Sequence, residues 1–210
     1  MIEEKLKGEE TMAQFKKAMD LFLEAEISNS PKKALHKNDG ENGLTYMGIY
    51  QSAHPTWFRW GYIQNVLDKH NGDKKEASIE LYQDSALTQD VYSFMKKEFW
   101  DKMKLDSVAS QKIAEELFIF GTNANIKAGV KMAQRLVGVR DDGIVGNGTI
   151  AALNAFDERA FDEEYDLLEQ AYYMNLISRR PNLAVNERGW VRRSELAMLP
   201  IEELEDIDYA

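Results

Sequence analysis

Cysteine is missing from the 210 residues, which removes disulfides, thiolate nucleophiles and cysteine-ligated zinc from consideration. Long apolar runs are missing too. None approaches the ~20 residues that span a bilayer, so no stable membrane insertion is expected. The opening MIEEKLKGEE has no apolar h-region, and no secretory signal of the usual type is read there. Positive charge is in deficit: the formal net charge is −10, the opposite of the electropositive footprint that nucleic-acid binding needs. Several catalytic signatures are also lacking. No HExxH and no GxSxG occurs, and no GK[ST] follows the glycines of DDGIVGNGT. The histidines His36, His54 and His70 are scattered, and a zinc site from His36, Asp39 and His54 has no ligand spacing behind it. No metal and no cofactor are expected.

What is present is helical periodicity. Met12, Phe15, Met19, Phe22, Leu23 and Glu26 fall on one stripe of a first helix, at about 100° per residue. Glu26 continues that stripe, whereas Glu24 points away toward solvent. Residues 28–45, SNSPKKALHKNDGENGLT, read as a loop or pair of turns. LTYMGIYQSAHP follows and suits a small hairpin strand or irregular chain, and WFRWGYIQNVLDKH suits a short helix. The segments 87–103, 108–121 and 125–137 carry apolar helical faces. A Gly-rich turn in VGVRDDGIVGNGT precedes another helix, and a long amphipathic helix from about 159 to 179 stops at Pro181. No Pro/Ser linker, low-complexity block, fixed-period repeat or βαβ pattern interrupts this order. The class is mainly α.

Reactive groups concentrate after the first helix: Glu26, then His36, Asp39, Glu41 and Thr45. Glycoside hydrolysis needs one carboxylic acid that stays protonated and a second, ionised group. A Glu at the end of an apolar face suits the first role, because desolvation disfavours its charged form. Asp39 or Glu41, in a polar Gly/Asn loop, suits the second. Ordinary solvated acids at a helix end and in a loop are the plain alternative. Aromatic rings that stack on sugar faces and amides that bond polar ring substituents would line a glycan site. Tyr46, Tyr50, Trp57, Trp60, Asn123 and Asn125 are candidates, with core packing the competing use of Trp57, Trp60, Trp100 and Trp190. Asp142, Gly143 and Gly146 form either a binding edge or a tight turn that caps the next helix.

The order of segments from about residue 12 to 194 resembles glycoside hydrolase family 108, the phage and bacterial N-acetylmuramidases with a type 3 peptidoglycan-binding region. FKKAMDLFLEAEIS resembles that family's opening F-x-x-A-L-x-F-V-L-x-x-E-G-G-Y, with Glu26 at the acid. A second register puts Glu24 there. EIS stands where the family has EGG. NGLTYMGIY resembles G-G-x-T-x-x-G-I through Gly43, Thr45, Gly48 and Ile49, and Gly48 joins the substrate-side candidates. EFWDKMKLD, the LVGVRDDGIVGNGTIAAL segment and RGWVRR follow in the family's order.

The resemblance implies a lysozyme-like, mainly helical fold with a small β-hairpin near the active site. It implies cleavage of the β-1,4 bond between N-acetylmuramic acid and N-acetylglucosamine, with peptidoglycan glycan strands as partner. Residues 1–124 would form the catalytic region and 125–210 the peptidoglycan-binding-like region, as two parts or one unit. Glu26 carries over as general acid. The phage-lysozyme order Glu, then Asp, five residues and Thr is similar to Asp39-x5-Thr45, which implies Asp39 as base or charge stabiliser and Thr45 as positioner of the attacking water. Glu41 competes with Asp39. A threonine-held water suggests inversion, for which carboxylates stand about 6.5–9.5 Å apart rather than about 5–5.5 Å. The expected protein is a monomer, made in the bacterial cytoplasm and acting at the periplasmic wall, as a prophage endolysin or a muramidase assisting export. The rival reading is a non-catalytic peptidoglycan-binding or phage structural protein on the same fold; a zinc cell-wall peptidase comes third.

Overall fold

The computed structural model describes residues 12–38 and 42–194. Its first helix, α1 (Phe15–Ile27), buries Ala18, Met19, Leu21, Phe22, Leu23 and Ile27, so the apolar surface is wider than one stripe. Met12, expected on that stripe, lies before the helix and is exposed. Two compact units share the chain: Met19–Glu98, and Met1–Ala18 with Phe99–Ala210. The first turn of α1 thus belongs to one unit and the rest to the other.

In the Met19–Glu98 unit, α1 leads through a short 3-10 turn, Pro31–Lys33, into β1 (Leu35–His36). β2 (Thr45–Tyr46) and β3 (Ile49–Tyr50) complete a three-stranded antiparallel sheet in the order β1-β2-β3. β2 and β3 form a tight hairpin. Its two central residues, Met47 and Gly48, have φ of 45° and 82°, as a two-residue turn of the primed kind requires. Three helices follow: α2 (Trp60–Lys69), α3 (Lys74–Tyr82) and α4 (Ser85–Met95). Aspartates cap the last two. Asp73 accepts from the Lys75 and Glu76 amides, and Asp84 from those of Ala86 and Leu87. α3 braces the sheet through Ser78, whose hydroxyl accepts from the Leu35 amide at 2.9 Å and donates to the Pro31 carbonyl at 2.5 Å. Tyr92 of α4 donates to Asp20 of α1 at 3.1 Å. Burial, with Asp20 beside it, pushes the Tyr92 phenol up to about 12.

The other unit is built on α5 (Gln111–Phe120), α6 (Ile126–Leu136), α7 (Asn147–Ala155), α8 (Glu158–Arg179) and α9 (Glu187–Ser194). Phe15, Trp100 and Phe118 meet edge to face, with ring centroids 5.6–5.8 Å apart. Trp100 is fully buried, and its indole donates to Asp106 at 2.6 Å. Phe120 at the end of α5 packs on Tyr165, Tyr172 and Tyr173 of α8. Trp190 of α9 stacks on Tyr173 at 4.6 Å. A π-helical turn, Lys96–Trp100, interrupts the segment 87–103 that periodicity reads as continuous helix, and a second, Gly121–Asn125, fills the gap between the segments 108–121 and 125–137. The outcome is the expected mainly α chain with a small hairpin.

Candidate active site

α1 ends one residue after Glu26. Ser28 and Asn29 both take left-handed backbone, at φ 50° and 47°, and the Ser28 amide still reaches the Glu24 carbonyl at 2.9 Å. Asparagine tolerates this region; serine adopts it at a cost of roughly 1 kcal/mol. Ser28 stands where the motif of the resembled family has its second glycine, if Glu26 is the acid. Both glutamates are half-buried, so Glu24 does not point freely to solvent as the helical stripe suggests. The reason is local: the Asn29 side chain folds back and donates to the Glu24 carboxylate.

The hairpin reaches the same stretch of α1. A Cβ on Gly48 would stand 2.3 Å from Cζ of Phe22, so the turn lies flat on that ring. Phe22 and Glu26 are four residues apart and share a helix face. Thr45 is buried at the start of β2. Tyr46 is fully enclosed, its hydroxyl is without a hydrogen-bond partner, and burial, with Asp84 next, raises its phenol far above the usual range. An enclosed ring has no face to offer a sugar. Tyr50 is half-exposed, and its hydroxyl accepts from the Asn42 amide at 3.1 Å, across the loop mouth. Asp39 and Glu41 lie outside the described residues.

A cavity of about 390 Å³ opens elsewhere in this unit, lined by His54, Thr56, Trp57, Phe58, Asp90, Lys97 and others. Trp57 is largely buried there, and its indole N–H has no partner. Sequence gives no signal for the lining residues of α4 and the π-helical turn after it, because nothing in the spacing of Asp90, Phe94 and Lys97 distinguishes a cavity wall from any other helix face.

Trp60, also largely buried, donates its indole N–H to the His54 carbonyl at 2.8 Å; the remaining candidates belong to the other unit, and each makes a structural bond. Asn123 donates to the Tyr173 hydroxyl at 2.8 Å. Asn125 caps α6 through the Ala128 amide. Asp142 accepts from the Ile144 amide at 2.9 Å and from Gln134 at 3.1 Å, and these bonds, the backbone one first, hold its carboxyl below the usual range. Gly143 has φ 78°, and a Cβ on it would lie 2.7 Å from Cγ of Lys127. Its amide donates to the side-chain oxygen of Gln134 at 2.8 Å. Gln134, fully buried, also donates to the Ile144 carbonyl and the Thr149 hydroxyl. This glutamine is the staple of the turn. Nothing in the surrounding KMAQRL sets it apart from a surface residue.

Comparison with known proteins shows what these features are similar to. Glycosyl hydrolase 108 matches residues 32–124, which include the hairpin and begin after α1 and both its glutamates. Predicted Peptidoglycan domain matches residues 128–195. No curated protein matches. Nine chains of solved structures do, among them SagA of Brucella abortus, at 19% identity over 88% of this chain and 96% of that one, with a TM-score of 0.54. At that identity the likeness concerns the fold alone, which is mainly α and lysozyme-like. The two matched regions thus indicate a peptidoglycan hydrolase, with N-acetylmuramidase activity in the region similar to glycosyl hydrolase 108 and a peptidoglycan domain after it.

Proposed function

We propose that Glu26 is the general acid of this hydrolase, protonating the leaving oxygen of the β-1,4 bond between N-acetylmuramic acid and N-acetylglucosamine. Asp39 is the second carboxylate, with Glu41 as its competitor, and Thr45 orients the attacking water. The observation that carries this reading is the seat of Gly48 on the Phe22 ring, which holds the Thr45 hairpin against the helix face that Glu26 shares. The left-handed Ser28 supports the register with Glu26 at the acid, since strained backbone gathers at functional sites and a glycine there would relieve it. Tyr50 remains a substrate-side candidate. Residues 1–124 do the cleaving and 125–210 engage peptidoglycan.

The test is clearing of purified peptidoglycan with mass spectrometry of the products. Wild type should release fragments with muramic acid at the reducing end, and Glu26→Gln should slow this by about 10²–10⁴-fold. Full activity in Glu26→Gln with loss in Glu24→Gln would move the acid to Glu24. Asp39→Asn and Glu41→Gln, run in parallel, identify the second carboxylate by which one loses turnover. The anomer released, read by NMR, decides between the inversion expected from a held water and retention.

The peptidoglycan match supports action at the bacterial cell wall, and among the described residues no helix is long and apolar enough to cross a membrane. We further propose a monomer that is made in the cytoplasm and works at the periplasmic face of the wall. Light scattering of the purified chain checks the first part, and fractionation of producing cells checks the second.

A further inference from the structure

α5 buries every residue from Ile113 to Phe120, including two acids, Glu115 and Glu116. Against it, α8 presents Asp162, Asp166 and Glu169, spaced to share one helix face. One carboxylate oxygen each from Glu116, Asp162 and Asp166 lie within 4.8 Å of one another. Glu116 and Glu169 are each only 2% exposed, while Asp162 and Asp166 are half-buried and leave an open side. Independently of this clustering, Oε1 of Glu116 is buried with no hydrogen-bond partner. The charges that act most strongly on Glu116 are Glu169, Asp166 and Asp162, all negative. Buried carboxylates are ordinarily paired or bound to metal.

We propose that Glu116, Asp162 and Asp166 form a site for one hard divalent cation, calcium by size. Calcium takes oxygen ligands at about 2.3–2.6 Å, so oxygens around one ion stand up to about 5 Å apart, and the observed spread fits. Magnesium, at about 2.0–2.1 Å in a strict octahedron, needs a tighter set. The open side next to Asp162 and Asp166 admits the ion and leaves room for water ligands. Glu169, buried on the same helix as Asp166, adds negative charge. The ion's rival is a proton held by Glu116, hydrogen-bonded toward Asp162. Because ligation needs the carboxylates ionised, binding expels that proton. The site does not depend on which residues cleave the glycan.

The test uses the full chain stripped with chelator. Calorimetric titration with calcium chloride should show one saturable ion per chain, and Tm should rise with the logarithm of its concentration. Glu116→Gln and Asp166→Asn should each weaken binding at least about tenfold, as loss of a charged ligand does. Glu164→Gln, an exposed acid on the same helix, should bind as wild type does. Glu116→Gln removes the ionisable group without changing the shape of the side chain, so it carries the test if Asp166→Asn does not fold. A Tm rise no larger than that from sodium chloride of equal ionic strength would overturn the site. So would unchanged affinity in Glu116→Gln, and tighter binding of magnesium chloride would overturn the choice of calcium.

Discussion

Glu116 and Glu169 are carboxyls whose chemistry is set by burial. Removal from water comes first and neighbouring carboxylates second, and both effects raise their pKa well above the ordinary 4.5. A raised acid holds its proton longer in the folded chain than in the unfolded one. Its contribution to stability is therefore complete below about pH 4.5 and is lost as pH rises toward the folded value. Glu116→Gln removes that loss. In calcium-free buffer the variant should match wild type near pH 4 and gain on it steadily toward neutral pH, as urea denaturation at several pH values would show. A constant difference across that range would mean that Glu116 is not held protonated. Sequence offers a partial signal here: adjacent acids within IAEELFIF sit on an otherwise apolar helix. What it cannot supply is the partner helix, and without α8 two buried acids look like a solvated face. The same limit applies to Glu24 and Glu26. Periodicity separates them by direction, yet the fold wraps both sides of α1.

At the scale of elements, the hairpin is held by a missing atom. Gly48 is required twice, by its φ of 82° and by the Phe22 ring that a Cβ would strike at 2.3 Å. Gly48→Ala should cost about 2 kcal/mol or more, and pairing it with Phe22→Leu should recover part of that loss. A double-mutant cycle from denaturant midpoints measures the coupling, and strict additivity would show that the contact does not hold the hairpin. The hairpin was legible because its central glycine and alternating aromatic and β-branched residues follow turn chemistry. α3 is illegible in the sequence, since its buried residues Ala77, Ser78 and Leu81 make too small an apolar stripe. Its one clear signal was the cap Asp73. β1, two residues long, lay inside a stretch whose composition is that of a loop. The π-helical turn Lys96–Trp100 is illegible for another reason: an extra residue in a turn shifts the register without changing the residue types.

At the scale of the whole molecule, the family boundary and the packing boundary differ. The hydrolase match ends at residue 124 and the peptidoglycan match begins at 128, yet α5, inside the first, packs its Phe120 on three tyrosines of α8, inside the second. A chain cut after residue 124 would expose Phe120 and strand Glu116 in water or in a collapsed interface. Residues 1–124 expressed alone should show reduced cooperativity in thermal unfolding and bind hydrophobic dyes. A sharp, reversible transition for that fragment would mean that α5 finds its support elsewhere.

Shared packing of this kind also governs recombination. Muramidase and wall-binding modules joined by a loose linker can be exchanged as cassettes, each bringing its own core. Here the last helix of the hydrolase region finishes its core with side chains encoded after the boundary. A chimera that takes a foreign terminal region at residue 125 inherits an apolar helix end with no aromatic cradle and a buried glutamate with no counterpart. The workable crossover carries α5 along with α8, so that the two helices move as one inherited piece.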